Sequence, residues 1–529
     1  MPIVVSLTLC CLAIFLYAIS KIKYDYWYKR NVVHPKPIPV FGNYRDYIIL
    51  RKSIQEVVSD ICRKFPKEPY IGVYYGTEPT LIVQDPKYIK QILTKDFYFF
   101  NGREATDYAD REAITKTLFF TGGDRWKVIR QYLTPLFSSA KMKKMFYLIE
   151  ECCNVFDKSL DKVTMTSIDV RSLIASYTID CIGSCAFGVH TKAMTLKDNN
   201  AFHVIGNKFF EASNIRGLKF VIRSIWPDIF YKLGLQLFPS ELTRFFNKFL
   251  VEVFEERNYK KFGRHDFVDL VLTLKQNKYI TGDSIKNMKG KKQKTVLEVD
   301  NDFLSGQCMT FFAAGYETSA TTLTFLLYEL AKNLDKQKLA IEEVDKYFKS
   351  HEKLEYDCIF ETPYLEACIS ETLRLYPVLG VLTRELVEDF TLSSGVFLNK
   401  GLRIHIPVYY LQRNPDFFPN PNQFRPERFL GIEKDNIVPY TYMPFGEGPR
   451  ICIGMRFAKM QMIAGILTIL NKCHINLAED TILKVDFEPR AITTQTTKGI
   501  QILIRYMTCI YVLKKTMYVS HNHNEFETF

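Results

Sequence analysis

The sequence lacks the cysteine patterns of metal-binding and disulfide-rich proteins. Its 529 residues include 13 cysteines, an odd number, and no Cys-x-x-Cys pair. The close pairs that it does contain, Cys152-Cys153 and Cys181/Cys185, have no second half with which to complete a zinc site. Secreted disulfide scaffolds are short and dense in cysteine, so free thiols in a reducing cytosol fit this long chain better.

Concentrated positive charge and closely spaced histidines are missing as well. The 70 Lys+Arg and 58 Asp+Glu give a net charge of +12, but the surplus is spread along the chain without the basic stripe typical of nucleic-acid binding. We expect no nucleic-acid partner, whereas an anionic membrane, an acidic protein or another polyanion would suit the charge. Only His521 and His523 have metal-ligand spacing, and a solvated polar tail explains them better.

The N-terminus is apolar. Residues 2–19 carry no charge, and at about 1.5 Å per residue they would span roughly 27 Å of a bilayer. Without a basic leader or a small-residue cleavage site, a signal anchor is favoured over a cleaved signal, and a buried helix is the third interpretation. Because Lys21, Lys23, Lys29 and Arg30 follow, the positive-inside rule would hold the rest of the chain in the cytosol.

The chain shows neither an internal repeat nor a low-complexity linker, which favours one large domain. A hydrophobic fraction of 47% and a charged fraction of 24% are typical of globular proteins. We predict a membrane anchor at 1–20, a basic and Pro-rich linker at 21–45, a mainly helical domain with small β-sheets at 46–505, and an atypical tail at 506–529.

Local patterns predict the elements of the domain. The β-prone residues 70–84, interrupted by Gly76 and Pro79, predict a hairpin, and the apolar spacing over 86–275 is mainly helical. The polar, lysine-rich residues 276–296 are interpreted as a solvated connector. Helices are expected over 301–333, 362–376 and about 453–471, and strands within 390–408.

The strongest local signal is a single cysteine in a glycine-rich loop, residues 445–454. Glycines lie four residues before and two residues after Cys452, so the backbone can turn tightly and approach a flat ligand. Free N–H groups and the N-terminus of the following helix would stabilise a thiolate, the form that binds metal. Phe445 would shield the sulfur from water. For the loop alone, an inert buried cysteine is the alternative.

Five blocks of sequence together resemble the cytochromes P-450. The loop matches their haem-binding pattern Phe-x-x-Gly-x-x-x-Cys-x-Gly at every fixed position. The resemblance extends from the N-terminus to about residue 505 and is greatest to the insect microsomal branch, which is related to mammalian drug-metabolising members. The other blocks are Trp126-x-x-x-Arg130, Ala314-Gly315-Tyr316-Glu317-Thr318, Glu371-x-x-Arg374 and Pro426-Glu427-Arg428-Phe429.

The resemblance implies haem b as the cofactor, with Cys452 as the axial ligand of the iron. Trp126 and Arg130 are i, i+4 neighbours, so an indole N–H and a guanidinium can converge on one haem propionate. Arg450 and Arg384 would complete the propionate contacts, with Arg103 as a further candidate.

The block at 314–318 resembles the oxygen-activation motif of the family. Ala314 and Gly315 have minimal side chains where a helix would pass over the iron and leave room for O2. Thr318 can bond a carbonyl one turn back and open a kink. Glu317 is an expensive charge in an apolar helix, which indicates a proton relay or a salt bridge. Thr318 and Glu317 are the candidate catalytic residues, and a helix crossing lined by small residues is the alternative.

A structural role is expected for three further charged residues. Glu371 and Arg374 share a helix face at i, i+3, and Arg428 arrives from a Pro-rich loop. A buried cluster of this kind would hold the cysteine loop in position more than it would add net stability.

The resemblance implies a haem-thiolate monooxygenase that inserts one atom of O2 into lipophilic small molecules, such as insecticides or plant toxins. Electrons would come from NADPH through NADPH–cytochrome P-450 reductase, with cytochrome b5 as a second candidate donor, at the cytosolic face of the endoplasmic reticulum membrane. Oxidation of an endogenous hormone, steroid or fatty acid, a haem-thiolate isomerase or dehydratase, and a non-catalytic haem sensor remain alternatives. The candidates for a basic docking face are Arg125, Lys127, Lys141, Lys143, Lys144 and Lys459.

Aromatic side chains are expected to form the substrate cavity. The segment 225–238 is also aromatic, and either a membrane-dipping surface or a contact between helices would explain it. The cavity candidates are Phe119, Phe120, Phe209, Phe210, Phe311 and Phe312.

Overall fold

A computed structural model describes residues 17–18, 22–162, 167–195, 200–260, 266–481 and 483–507. The expected anchor at 1–20, apart from residues 17 and 18, and the expected tail at 506–529, apart from its first two residues, lie outside the described residues. Among the residues that are described, no helix combines the length and apolar character needed to cross a membrane.

The described residues are mainly α-helical, with short 3₁₀ and π-helical turns between the helices. In chain order the helices are α1 (Arg45–Ile48), α2 (Ile54–Lys64), α3 (Pro86–Lys90), α4 (Gly123–Leu133), α5 (Ser139–Leu160), α6 (Val170–Ile182), α7 (Ala201–Phe210), α8 (Asn214–Ile225), α9 (Pro227–Lys232), α10 (Ser240–Glu256), α11 (Phe267–Gln276), α12 (Asn301–Lys332), α13 (Leu334–Ser350), α14 (Cys358–Glu361), α15 (Pro363–Leu375), α16 (Val408–Leu411), α17 (Gly431–Asp435) and α18 (Met455–Leu470).

The strands form small, separate sheets. They are β1 (Tyr70–Tyr75), β2 (Glu78–Val83), β3 (Ser167–Asp169), β4 (Tyr279–Asp283), β5 (Lys294–Glu298), β6 (Leu382–Glu385), β7 (Phe390–Thr391), β8 (Phe397–Leu398), β9 (Arg403–Ile406), β10 (Cys473–Leu477) and β11 (Gln501–Tyr506). The largest sheet has the order β1-β2-β9-β6, in which β2 and β9 are parallel and the other pairs antiparallel. A second sheet is β10-β11-β3, and β4-β5 and β7-β8 are two-stranded. The predicted mainly helical architecture with small β-sheets is confirmed.

Helix α12 runs through the centre of the main hydrophobic core. Its 32 residues span about 48 Å, and most are buried, as expected for a helix that is apolar on nearly every side. The Asp300 side chain caps the N-terminus by accepting a hydrogen bond from the Phe303 N–H at 2.6 Å. Helices α6, α10 and α15 pack against it. The predicted core helix over 301–333 is therefore confirmed.

Two other predicted elements agree closely with the structure. Helix α15 begins with Pro363 in its first turn and ends two residues before Pro377, because proline suits a helix start and disfavours helix in the residue before it. The hairpin β1–β2 turns at Gly76, where φ is 63°. Pro79, however, lies inside β2 opposite Tyr74 and takes no part in the turn.

The interpretation of residues 276–296 as a solvated connector is correct for their exposed lysines, but the segment is more than a connector. They form most of the antiparallel hairpin β4–β5, with a 3₁₀ helix between its strands. The hairpin packs on α4, where the Asp124 carboxylate accepts hydrogen bonds from Ser284 Oγ at 2.8 Å, the Ile285 N–H at 2.6 Å and Thr295 Oγ1 at 2.7 Å. A lysine-rich sequence can therefore be ordered when another helix supplies the acceptors, which local composition does not reveal.

The contacts of Asp124 lead to a test of this packing. Asp124→Ala removes one acceptor from three donors, so we expect the free energy of unfolding to fall by about 1–3 kcal/mol and amide hydrogen exchange to rise over 279–298. Burial raises the pKa of Asp124, but its hydrogen bonds outweigh burial and hold the pKa below the usual value. The contribution is therefore present at neutral pH and is lost as pH falls through that depressed pKa.

Glu298→Ala is the matched control because it removes an exposed carboxylate from β5 of the same hairpin. Among the described residues Glu298 forms no salt bridge, and an exposed, unpaired carboxylate contributes little to stability. Equal losses of stability in the two variants would contradict the special role of Asp124.

Candidate active site

The cysteine loop lies between the Pro-rich segment and α18. The Cys452 N–H donates to the Phe445 carbonyl at 2.8 Å, which closes the loop, and Gly446 and Gly448 have φ values of 75° and 72°. A Cβ on Gly448 would lie 1.9 Å from the Leu93 carbonyl oxygen. The glycine at this position is therefore required both by the backbone angle and by the close approach of another chain segment.

Cys452 differs from the other described cysteines, because its side chain has an exposed face and theirs are buried. The protein around the sulfur nevertheless desolvates it, and burial raises the pKa of the Cys452 thiol, although the Gly454 N–H and the charge of Arg130 act in the opposite direction. A thiolate is therefore not favoured by the protein alone. A metal cation bound to the sulfur would supply the missing stabilisation, since a coordinated thiol is deprotonated.

Arginine side chains converge near this loop. Burial lowers the pKa of Arg450, and the charges of Arg103, Arg384 and Arg130 lower it further. Burial also lowers the pKa of Arg103 to about 10. The buried Nε atoms of Arg103 and Arg384 have no hydrogen-bond partner among the described residues. Buried cations that repel one another require an anion. The residues therefore fit a flat ligand that carries carboxylates, such as a haem with two propionates.

Trp126 and Arg130 lie on α4 beside the same cluster. The Arg450 guanidinium carbon is 4.8 Å from the Trp126 ring centroid, and Trp126 also packs on Phe97, with the ring centroids 5.2 Å apart. Arg130 Nη1 donates to the Ile451 carbonyl at 2.9 Å. Arg130 thus supports the backbone next to Cys452, a contact that the sequence did not indicate, in addition to its predicted place near a propionate.

On α12 the structure separates Ala314 from Gly315. Thr318 Oγ1 donates to the Ala314 carbonyl at 2.7 Å, as expected, and both residues line the cavity described below. Gly315 instead faces α6, where a Cβ would lie 2.5 Å from Ile182 Cδ1. The lack of a side chain at Gly315 therefore lets α12 approach α6, while Ala314 lines the cavity, because neighbouring helical residues differ by about 100° in direction.

Glu317 forms a buried salt bridge. Its side chain is fully buried, and Oε2 accepts from Arg171 Nη2 of α6 at 2.7 Å. Oε1 accepts from Gln495 Nε2 at 3.0 Å and from Thr493 Oγ1 at 3.4 Å. Glu317 itself does not line the cavity, whereas Thr493 and Gln495 do. Of the two roles considered for Glu317, the geometry directly displays the salt bridge.

The structure brings Glu371, Arg374 and Arg428 together. Arg374 Nε and Nη2 donate to the two Glu371 carboxylate oxygens at 2.6 and 2.8 Å, and both side chains are fully buried. Arg428 Nε lies 3.4 Å from Glu371 Oε1, and the Arg425 N–H donates to the same oxygen at 2.9 Å. The carboxylate thus fixes the Pro-rich segment against α15.

Gln412 and Tyr442, which belong to none of the sequence motifs, connect this cluster to the cysteine loop. Gln412 Nε2 donates to the Leu373 and Arg374 carbonyls, and its Oε1 accepts from the Met443 N–H at 3.0 Å. The Tyr442 hydroxyl donates to the Ser370 carbonyl at 3.0 Å. Sequence reasoning missed Gln412 and Tyr442, because their role depends on segments far apart in the chain.

A cavity of about 260 Å³ lies against α12. Four of the six aromatic candidates line it: Phe119, Phe120, Phe209 and Phe210. Phe311 and Phe312 do not. Phe311 packs on Phe137 and Phe267, and Phe312 is fully buried within the hydrophobic core. The sequence showed that these residues are aromatic. It did not show which side chains of α12 would face the cavity.

Comparison with known proteins agrees with this geometry. The Cytochrome P-450 family model matches residues 33–504. Cytochrome P-450 6B7 of Helicoverpa armigera is 34% identical over 506 residues, which cover 94% of this chain and 97% of that protein. Cytochrome P-450 6k1 of Blattella germanica is also 34% identical, with 94% and 95% covered. Cytochrome P-450 6B1 of Papilio polyxenes is 33% identical, with 90% and 95% covered.

The family match, the glycine-rich cysteine loop and the cluster of buried arginines lead to one conclusion. Haem b, bound through a cysteine thiolate, is the cofactor of this family. The chain belongs to the cytochrome P-450 family and is a haem monooxygenase.

Proposed function

We propose that this monooxygenase oxidises lipophilic xenobiotics such as insecticides or plant toxins. The observation that carries the proposal is the phenylalanine-lined cavity that borders Ala314 and Thr318 on α12. Apolar walls favour apolar substrates and exclude water, which suits binding of varied lipophilic molecules. Oxidation of an endogenous hormone, steroid or fatty acid would use the same cavity.

We propose that Cys452 would hold the haem iron through its sulfur and that Trp126, Arg130, Arg384 and Arg450 would contact the propionates. The haem would lie between α12 and the loop that precedes α18, with Phe445 and Ala314 beside it. When bound, a haem with a thiolate ligand supplies the activation of O2. The glycine loop fixes the sulfur, and the arginines neutralise the propionates and set the orientation of the ring.

Protons would be held and moved by side chains at the cavity wall. The Thr318 hydroxyl holds a proton at the wall and donates a hydrogen bond to the Ala314 carbonyl in this structure. Thr493 and Gln495 line the cavity and donate to Glu317, so they connect this buried carboxylate to the cavity. We propose that protons reach Thr318 along this path, while Arg171 holds Glu317 in place.

We also propose attachment to the endoplasmic reticulum membrane through residues 1–20, with residues 21–45 as the linker, 46–505 as the cytosolic haem domain and 506–529 as an appended tail. Ile215 and Leu218 on α8, Ile229 on α9 and Leu233 just after it are exposed apolar side chains. Such residues suit contact with a lipid surface, whereas Phe230 of the same segment is fully buried. Within 225–238, the buried Phe230 fits a contact between helices, and we propose that the exposed Ile229 and Leu233 belong to a membrane-dipping surface.

Electrons would come from NADPH through NADPH–cytochrome P-450 reductase, with cytochrome b5 as a second donor. Within the proposed docking face, Lys143 Nζ lies 3.6 Å from Asp357 Oδ2. Lys459 Nζ lies 2.6 Å from Glu366 Oε1, and Arg125 is paired with Asp110. Lys144 is exposed on α5 and is the best placed of the candidates for an acidic partner.

Cys452→Ala tests the proposed ligand. We expect the variant to lose the carbon monoxide absorbance band that gives the family its name and to lose NADPH-driven turnover, because alanine cannot bind iron. Cys358→Ala, in α14, removes a buried thiol elsewhere and should keep both. Normal turnover in Cys452→Ala would overturn the assignment. Product formation under argon would indicate an isomerase or dehydratase, and haem binding without turnover in air would indicate a sensor.

Thr318→Ala tests the proton path. We expect product formed per NADPH consumed to fall about tenfold or more, because the hydroxyl that positions a proton at the cavity wall is gone. Thr322→Ala is the matched control, since Thr322 lies one turn further along α12 and donates to the Thr318 carbonyl at 2.9 Å without lining the cavity. A fully coupled Thr318→Ala enzyme would show that the hydroxyl is not used.

Lys144→Glu tests the docking surface. The reductase concentration needed for half-maximal turnover should rise about threefold at low salt, and the difference should shrink as salt screens the surface charge. Chemical reduction by dithionite should be unaffected. Lys67→Glu reverses an exposed charge near β1 and should behave as the unmodified enzyme, so equal effects of the two reversals would argue against a specific surface.

A further inference from the structure

Arg223 is a charged side chain in the wall of an otherwise largely apolar cavity. It lies near the end of α8, is only 3% exposed and lines the same cavity as Thr318. Its guanidinium carbon is 5.5 Å from the Phe120 ring centroid and 5.8 Å from that of Tyr231. A guanidinium in such surroundings is costly unless an anion or several hydrogen bonds compensate its charge.

The protein satisfies only part of the hydrogen-bonding capacity of the Arg223 guanidinium. Nε donates to the Tyr231 hydroxyl at 2.7 Å, and that hydroxyl donates to Glu112 Oε1 at 3.0 Å. Nη2 is buried and has no hydrogen-bond partner within the described part of the chain. Tyr231 thus fixes the direction of the guanidinium from one side, while part of its hydrogen-bonding capacity remains unused.

Neighbouring carboxylates are already engaged by other donors. Glu112 Oε2 accepts from the Leu237 N–H at 3.0 Å and the Phe238 N–H at 3.4 Å. Glu104, which also lines the cavity, has its Oε1 2.9 Å from His405 Nε2. Among the residues that the structure describes, no carboxylate oxygen is within salt-bridge distance of Arg223.

We propose that Arg223 binds the carboxylate of the substrate, and that this enzyme accepts lipophilic carboxylic acids in preference to their neutral counterparts. The proposal rests on the proposed function of the cavity as the substrate site. A carboxylate fits the planar guanidinium and would accept a hydrogen bond from the side chain that the described residues satisfy only in part, and the hydrocarbon part would lie along the phenylalanines. Arg103 lines the cavity too, but its charge belongs to the cluster with Arg384 and Arg450, which we assign to the propionates.

The test is a pair of probes that differ only in charge. Decanoic acid and methyl decanoate are titrated into the haem-loaded enzyme while the substrate-induced spin-state change is followed. We expect the unmodified enzyme to bind the acid at least about tenfold more tightly than the ester. Arg223→Gln should remove that preference by lowering the affinity for the acid. It should leave the affinity for the ester within about twofold.

Two further variants make the result specific. Lys219→Gln removes a positive charge from the same helix, one turn before Arg223 and away from the cavity lining, and should keep the preference for the acid. Arg223→Lys keeps the charge without the planar fork and should retain part of the preference. The carbon monoxide spectrum of each variant establishes that haem is bound and the fold intact.

The outcomes separate this proposal from the proposed function. Equal affinity of the unmodified enzyme for acid and ester, or an acid preference that survives in Arg223→Gln, would overturn the role of Arg223 while the cavity remains the substrate site. If neither probe changes the spin state and varied lipophiles also fail, the substrate role of the cavity is itself wrong.

Discussion

The neutralisation of buried arginines is the constraint on which this structure depends. Arg374 and Arg171 receive their counterions from the chain itself, in Glu371 and Glu317, and these pairs hold the elements around the site. Among the described residues, no carboxylate lies within salt-bridge distance of Arg103, Arg384 or Arg450, and Arg450 donates only to the Asn101 and Thr121 carbonyls. An anionic ligand would therefore relieve the mutual repulsion of this cluster.

The same principle applies to the sulfur of Cys452. The loop provides geometry through glycines that only glycine can replace, and through the bond from the Cys452 N–H to the Phe445 carbonyl. Burial raises the pKa of the thiol, while the Gly454 N–H and the charge of Arg130 act against that rise. In the proposed complex, ligand and protein would complete one another, because the iron would stabilise the thiolate and the propionates would neutralise the arginines.

Rigidity reaches the loop from a distance. The Glu371 carboxylate fastens the Pro-rich segment to α15, and Gln412 and Tyr442 continue that attachment to the residues just before the loop. On the opposite side of the site, the contact between Gly315 and Ile182 lets α12 and α6 pack closely. The residues of both supports do not line the cavity. Its wall includes Thr318, Ala314 and the phenylalanines.

The sequence by itself determined the fold class, the family, the long core helix and the cysteine loop, because each depends on residues close together in the chain or on a fixed local spacing. It could not determine that 276–296 forms a hairpin, that Gly315 faces α6 or that Phe311 and Phe312 are in the core. Nor could it single out Gln412, Tyr442 or Arg223. Those outcomes depend on which distant segment lies opposite each side chain, and only tertiary packing decides that.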